Sequence, residues 1–267
     1  YVDNQYGLFS AGRMGAMVGG NGPYARFGHI LSPFSCGWGN VGGHLQVMAL
    51  GYEYVDNALA WASPKFAGFD ATLQYSNGTD AKNFGTGVEG KSSVERMYAG
   101  ALRYTHNDLM VIGGIERINY AQPSANDLGR KDAISYNLGG SYQAGWAKFY
   151  AYGQYFQNYT AAARTTTFAL PSGVDGWGAN VGVDVPVSHG FIKAGLGYGD
   201  FKGSKDSDRT MKTWQAAVGY LLPLSKRTSL YTAANYINSR YSDAQEAANP
   251  KAGKQVIDVI AGLMHKF

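Results

Sequence analysis

The segment AISYNLGGSY, residues 133–142, alternates between large apolar side chains and small or polar ones. Successive side chains of a β-strand point to opposite faces, so this period of two residues predicts a strand whose two faces differ. The apolar face carries Ile134, Tyr136, Leu138 and Tyr142, and the other carries Ala133, Ser135, Asn137, Gly139 and Ser141. One side of the strand is therefore expected to meet an apolar environment and the other a polar one.

The same alternation recurs at 177–185, 214–222 and 257–267, in segments of about ten residues, the length of a tilted membrane-spanning strand. The polar face consists mostly of Gly, Ala, Ser, Asn and Gln, whereas a soluble β-sandwich, the alternative interpretation, carries many Lys and Glu there. Aromatic residues at the segment ends match the interfacial girdles of membrane barrels. The pattern predicts an all-β fold: a transmembrane antiparallel β-barrel, in one domain over residues 1–267, with a water-filled interior.

The composition agrees with a sheet and excludes several other classes. Aromatic residues make up 14% of the 267 residues and Gly occurs 37 times, which favours strands over helices. Mean hydropathy is −0.25, and no segment approaches the roughly 18 consecutive apolar residues of a spanning helix. The lone Cys36 excludes an internal disulfide. The net charge is +4, and the basic residues are scattered with no run of three, so they form no nucleic-acid-binding stripe.

The connections between the segments alternate between short and long. Short ones span 63–67, 105–108, 143–145, 186–190 and 223–228, and long ones span 77–93, 121–131, 159–174, 202–210 and 241–254. Short periplasmic turns and long external loops are typical of outer-membrane barrels. About twelve strands are predicted, near 5–13, 53–62, 68–77, 94–105, 109–120, 132–143, 146–158, 175–185, 190–201, 211–222, 228–240 and 255–267. The longest connection, about 14–52, is expected to be functional, because structureless connections of that length usually are.

Four motifs along the chain resemble the general diffusion porins of β-proteobacteria. They are Ala11-Gly12-Arg13, the pair of segments 55–57 and 63–68, the segment 225–231, and the terminal Gly262-Leu263-Met264-His265-Lys266-Phe267. They occur in the family's order over the whole chain, and the resemblance implies a sixteen-stranded homotrimer of the Gram-negative outer membrane. Residue 1 aligns near the end of the family's fourth strand, so we expect four N-terminal strands to be missing from this chain.

The resemblance also implies that the long loop, about 14–52, folds into the barrel and forms its constriction. The family usually has Arg and Asp in the following strand, where this sequence has Ala60 and Ala62. The loop contains no Asp or Glu, but it carries Arg26 and two His. We therefore expect a constriction that is positive or neutral, with a weaker transverse field than the family pattern.

Motifs of enzymes and cofactor sites are weak or absent. Residues 85–92, GTGVEGKS, match the phosphate-loop pattern, but polar residues precede them and a strand pattern follows, so we interpret them as an external loop. The sequence has no G-x-S-x-G nucleophile motif, and its five His and one Cys lack metal-ligand spacing. We predict no catalytic, cofactor or metal residues, although a barrel hydrolase built from lumen-edge or lipid-facing residues would carry no recognisable sequence motif.

Charged residues within the strand segments are the candidate functional residues. A charge at mid-strand that faces lipid costs about 2–4 kcal/mol, so placement toward the lumen is favoured. Strand parity directs Asp70, Arg103, Lys148, Asp184, Lys193 and Asp258 inward, the resemblance adds Arg13, and the loop adds Arg26. We predict that these residues line the pore or its constriction, and the parity of Glu116 and Arg117 stays unresolved.

These observations predict a porin through which small hydrophilic solutes and ions diffuse passively, with a weak preference for anions. Two alternatives stay open. One is a solute-specific porin for a sugar or an organic anion, since the loop is rich in aromatic residues that can stack on sugar rings. The other is a structural or adhesin barrel with a plugged lumen. The expected partners are outer-membrane lipid, lipopolysaccharide and the barrel assembly machinery, and nucleic acid is not expected.

The terminal Phe267 is predicted to act in assembly and not in conduction, because it ends an alternating apolar strand in the manner of the signal read by the barrel assembly machinery. Deletion of Phe267 should lower the amount of folded, heat-modifiable barrel in the outer membrane. A deletion variant that assembles as well as the unaltered chain would contradict this prediction.

Overall fold

The computed structural model describes residues 1–78, 95–120, 131–250 and 252–266. These residues form one antiparallel sheet in which each strand pairs with its neighbours in the sequence. The strands are β1 (Val2–Asn4), β2 (Gly7–Gly15), β3 (Tyr54–Ala62), β4 (Phe69–Ser76), β5 (Arg96–His106), β6 (Leu109–Asn119), β7 (Ala133–Ala144), β8 (Ala147–Ala162), β9 (Phe168–Val187), β10 (Gly190–Gly203), β11 (Thr210–Pro223), β12 (Thr228–Tyr241) and β13 (Gln255–His265). The connections contain a 3₁₀ turn, His44–Gln46, and the helix α1, Asp243–Ala248.

Each predicted segment overlaps one strand of this sheet, and β1 is an additional short strand that pairs with β2. Its three residues are too few to show an alternating pattern. The predicted long loop 159–174 is wrong in its extent, because β8 continues to Ala162 and β9 begins at Phe168. The ladder between them shifts register on either side of Tyr159, and such irregularities interrupt the alternation by which a strand is recognised.

The sheet has an apolar outer face and a largely polar inner face. On β7, Leu138 is 65% exposed, whereas the adjacent Asn137 is 4% exposed. Buried polar side chains on other strands include Thr72, Gln74, Gln154, Asn180, Thr213, Gln215 and Ser239. This arrangement inverts that of a water-soluble protein and is that of a barrel whose outer face contacts lipid. Among the described residues, no helix is both long and apolar enough to cross a membrane.

The connection between β2 and β3, which we call the inner loop (residues 16–53), packs against the inner face of the sheet. Met17 and Leu31 of this loop are fully buried in a cluster with apolar residues of strands from β3 to β12. The Leu50 N–H donates to the Ala161 carbonyl at 2.9 Å, which ties the end of the inner loop to the extended part of β8. The elongation of β8 and β9 thus provides the surface on which the loop returns.

Glycines on the inner face leave the space that the inner loop occupies. A Cβ atom added to Gly182 would meet the ring of Pro33, and one added to Gly178 would overlap the carbonyl oxygen of Val47. Glycine inside a strand often marks a place where another backbone approaches closely. The small residues that predicted a water-filled wall therefore serve in part to accommodate the loop.

Candidate pore constriction

One group of charged residues lies where the inner loop meets β4 and β5. Asp70 and Arg103 face each other across the ladder, and the Arg103 Nε donates to the Asp70 carboxylate at 2.9 Å. Arg26 is buried, and its Nε donates to the Thr72 hydroxyl at 2.8 Å. Burial lowers the pKa of Arg26, Arg103 lowers it further, and Asp70 opposes the change. Arginine stays charged at physiological pH, so two guanidinium groups share one carboxylate in this arginine group (Arg26, Arg103 and Asp70).

A second group lies on β8, β9 and β10 near their short turns. The Lys193 Nζ lies 2.7 Å from one oxygen of Asp184, and the Tyr150 hydroxyl donates to the other oxygen at 2.9 Å. The Lys148 Nζ lies 5.0 Å from the centroid of the Tyr150 ring. Trp38 of the inner loop lies beside Lys193, with 5.8 Å between its ring centroid and the ammonium nitrogen. This lysine group (Lys148, Lys193 and Asp184) thus has two ammonium groups and one carboxylate, with which Lys193 forms the ion pair.

The two remaining candidate residues lie apart from these groups. Arg13, near the end of β2, has a side chain that is 58% exposed, and it forms an ion pair with Asp56 at 3.0 Å. Asp258 lies opposite Asn235 in the β12–β13 ladder, and its Oδ2 has no hydrogen-bond partner in the described part of the chain. The charge of Arg13 is therefore compensated locally, which its motif did not indicate.

The inner face also holds a carboxylate that the sequence left unassigned. Glu116 on β6 is buried, and the Tyr159 hydroxyl donates to its Oε1 at 2.8 Å. Arg117 lies on the exposed face and pairs with Asp132 at 3.0 Å. The parity of this strand was ambiguous because Ile112, an apolar residue on the inner face, packs in the cluster that contains the inner loop.

This arrangement can act on solutes through their charge and size. Each of the two groups has one more cation than carboxylates, and low-dielectric walls strengthen the field of the few charges beside a narrow passage. In the described ranges, no three His, Cys, Asp or Glu residues are grouped as a metal site. The phosphate-loop match at 85–92 and the terminal Phe267 lie outside the described residues.

An antiparallel sheet that is apolar outside and polar inside, with a charged loop packed within it, is the architecture of an outer-membrane β-barrel. The chain belongs to the Gram-negative porin family, because residues 1–242 match that family. It is therefore a porin barrel of the bacterial outer membrane.

Among known proteins, the chain is 26% identical over 272 residues to an outer membrane porin protein of Bordetella pertussis, strain Tohama I, covering 90% of this chain and 65% of the relative. The chain thus spans about two thirds of the length of that relative. Among solved structures, it is similar to the anion-selective porin from Comamonas acidovorans, with a TM-score of 0.68 and 20% identity, over 99% of this chain and 76% of that one. It is also similar to the outer membrane channel DcaP of Acinetobacter baumannii, with a TM-score of 0.61 and 13% identity, over 97% and 71% of the two chains. These structural likenesses concern the fold.

Proposed function

We propose that this chain forms the wall and constriction of a water-filled channel through which small hydrophilic solutes and ions diffuse passively, with a weak preference for anions. The observation that carries the proposal is the charge balance of the arginine group and the lysine group, each of which has two cations for one carboxylate. The inner loop adds no carboxylate of its own before Glu53. Anions passing these groups therefore meet a net attraction.

Two further points support an anion preference. Glu116, a carboxylate on the inner face of β6 outside both groups, is buried and accepts a hydrogen bond from the Tyr159 hydroxyl at 2.8 Å, so it offers little charge to a passing cation. The similar porin from Comamonas acidovorans is described as anion-selective, and we propose the same preference here. We also propose that the barrel has no enzymatic activity, since membership of the porin family implies a channel.

The test is the reversal potential in a potassium chloride gradient across a planar bilayer. The unaltered protein should prefer chloride over potassium, and Arg26→Ala should shift the reversal potential toward potassium, because it lowers the net charge of the arginine group from one positive charge to zero. Arg13→Ala should produce a smaller shift in the same direction, because Asp56 already compensates that charge.

The matched control is Arg227→Ala, which removes the same charge from the exposed short turn between β11 and β12. Charges at the rim are screened beyond about 8 Å in physiological salt, so this variant should keep the reversal potential of the unaltered protein. An unaltered protein that already prefers potassium would overturn the anion preference, and an unchanged reversal potential in Arg26→Ala would show that other charges set it.

Single-channel conductance separates the proposal from its alternatives. A general porin shows a large conductance that does not saturate with solute, a solute-specific porin shows a small and saturable one, and a plugged structural barrel shows none. Assembly as a homotrimer, contact with lipopolysaccharide and recognition of Phe267 by the assembly machinery are part of the same proposal. They rest on the motifs that resemble the porin family.

A further inference from the structure

Three exposed basic residues lie on neighbouring strands, at the end of the barrel with the longer connections β10–β11 and β12–β13. They are Lys202 on β10, Lys212 on β11 and Arg240 on β12, and we call them the basic row. Lys212 and Arg240 are direct partners in the β11–β12 ladder. Side chains of such partners share one face of the sheet, with Cβ atoms about 5 Å apart. The row therefore concentrates positive charge on a small area.

The basic row lies on the outer face of the barrel. Side chains on one strand share a face when they are an even number of residues apart. The exposed apolar residues of the outer face include Leu196 on β10 and Trp214 on β11, which are six and two residues from Lys202 and Lys212. Arg240 is on the same face, because it pairs with Lys212. These cations thus face away from the lumen, toward the membrane.

The basic row has fewer carboxylate partners than cations. Lys212 lies 3.6 Å from Asp200, its neighbour across the β10–β11 ladder. Lys202 and Arg240 form no ion pair in the described part of the chain. Like charges that lie directly opposite each other destabilise a sheet. The pairing of Lys212 with Arg240 is therefore unfavourable for the protein alone and would be relieved by an anion.

A second carboxylate near the row is already engaged elsewhere. Asp175 lies opposite Lys202 in the β9–β10 ladder. Its Oδ1 accepts the Asn158 N–H at 2.8 Å and the hydroxyl of Ser204. Asp175 thus stabilises the neighbouring connection by hydrogen bonds instead of forming an ion pair with Lys202.

Aromatic rings indicate the depth of the basic row in the membrane. Trp214 lies two residues from Lys212 toward the middle of β11, and its ring contacts the Tyr236 ring with centroids 5.2 Å apart. Tyr198, opposite Trp214 in the β10–β11 ladder, contacts Trp177 at 5.5 Å. Such amphipathic rings sit at headgroup level, and two residues of a strand add at most about 7 Å. The row therefore lies among the lipid headgroups.

We propose that the basic row binds the phosphate groups of lipopolysaccharide. The phosphates pair with Lys202 and Arg240 and reduce the repulsion between Arg240 and Lys212, while the acyl chains pack on the apolar outer face. Long connections mark the external end of an outer-membrane barrel, where lipopolysaccharide forms the leaflet. Its lipid anchor carries two phosphates, which suits a row that spans three strands, or about 10 Å. The inference rests on the proposed contact with lipopolysaccharide and names its site.

The experiment titrates the detergent-solubilised porin with diphosphorylated lipid A, the anchor of lipopolysaccharide, and measures the lipid that remains bound after size-exclusion chromatography. Lys212→Gln combined with Arg240→Gln should weaken binding about ten-fold or more, because each basic residue near an anionic lipid surface contributes roughly a factor of five. Dephosphorylated lipid A, phosphatidylglycerol and inorganic phosphate should each bind the unaltered porin at least about ten-fold more weakly, because they lack both phosphates, one phosphate or the acyl chains.

The matched control is Lys226→Gln combined with Arg227→Gln, which removes the same charge from the exposed short turn between β11 and β12 and should keep the affinity for lipid A. Heat-modifiability on gels shows that both double variants fold. Equal affinities in the two double variants would overturn the site but leave the proposed contact with lipopolysaccharide standing. Equal binding of phosphatidylglycerol or inorganic phosphate would overturn the assignment to lipopolysaccharide.

Two further outcomes separate this inference from the proposed function. Absence of lipid A binding to the unaltered porin would overturn the proposed contact together with the site. The basic row faces away from the lumen, so the variant of Lys212 and Arg240 should keep the conductance of the unaltered protein. An unaltered porin that binds lipid A but carries no current would overturn the proposed channel and support the lipid site.

Discussion

Lowering the pH from 7 to 4 is expected to release the inner loop from the barrel wall, because His44 cannot take up a proton where it lies. Its imidazole is buried and lies 5.4 Å from the Tyr152 ring, and neither ring nitrogen has a hydrogen-bond partner among the described residues. A Cβ atom on Gly28 would overlap the imidazole, so the loop backbone closes over it. Burial, aided by the charge of Arg164, lowers the pKa of His44 from 6.5 to about 3.

The sign of the effect follows from linkage. A docked loop keeps His44 neutral, whereas a released loop lets it bind a proton near its ordinary pKa of 6.5. Docking therefore has its full stability above pH 6.5 and loses about 1.4 kcal/mol for each pH unit below it, down to the folded pKa of about 3. The whole loss amounts to about 5 kcal/mol, which is large compared with typical single interactions.

Single-channel conductance at pH 7, 5 and 4 measures the release, and limited proteolysis of the inner loop provides a second readout. The matched variant is His44→Phe, which keeps an aromatic ring beside Tyr152 but cannot bind a proton, so its loop should stay docked to lower pH. Carboxylates elsewhere titrate in both proteins, and the difference between them isolates His44. Equal pH dependence in the two proteins would refute the prediction.

Replacement of Gly178 by alanine is expected to displace the inner loop at neutral pH and to raise the conductance. Gly178 lies on the inner face of β9, and a Cβ atom there would overlap the Val47 carbonyl oxygen and lie 2.8 Å from the Met48 Cγ. Both atoms belong to the loop segment that follows the 3₁₀ turn, and one of them is backbone. Overpacking of this kind costs about 1–3 kcal/mol, which shifts loop docking by about 5- to 150-fold.

The matched control is Gly153→Ala on β8, where the nearest atoms to a new Cβ lie 3.9 Å away, an ordinary contact distance. This variant should conduct like the unaltered protein, and heat-modifiability on gels should show that both variants fold. β9 keeps its ladders to β8 and β10 in either case, so the barrel wall is expected to survive. A conductance of Gly178→Ala equal to that of Gly153→Ala would show that the loop does not limit the passage.

The strands and the direction of most of their side chains could be predicted from the sequence. The two faces of a barrel strand contact lipid and the lumen, respectively. The apolar side chain of Leu138 and the polar side chain of Asn137 therefore predict which face each residue occupies, without information from the rest of the chain. The same reasoning placed Asp70 and Asp184 on the inner face, where the structure has them buried or partly buried. Short turns likewise depend on local chain reversal, which is why the short connections were predicted at the right places, with bounds that differ by one or two residues.

The contacts between the inner loop and the barrel wall could be seen only in the tertiary structure. The sequence predicts that Gly178 is a lumen-facing glycine, but in the structure its missing side chain leaves room for the backbone of Val47, which lies 131 positions earlier in the chain. The alternation of apolar and polar residues indicates the average environment of each face of a strand, but it cannot show that protein covers part of the inner face. For that reason, three features could not be predicted from the sequence: which face Glu116 occupies, the extension of β8 and β9, and the burial of His44. All three depend on where the loop docks, and docking is set by shape complementarity between segments that are distant in the chain.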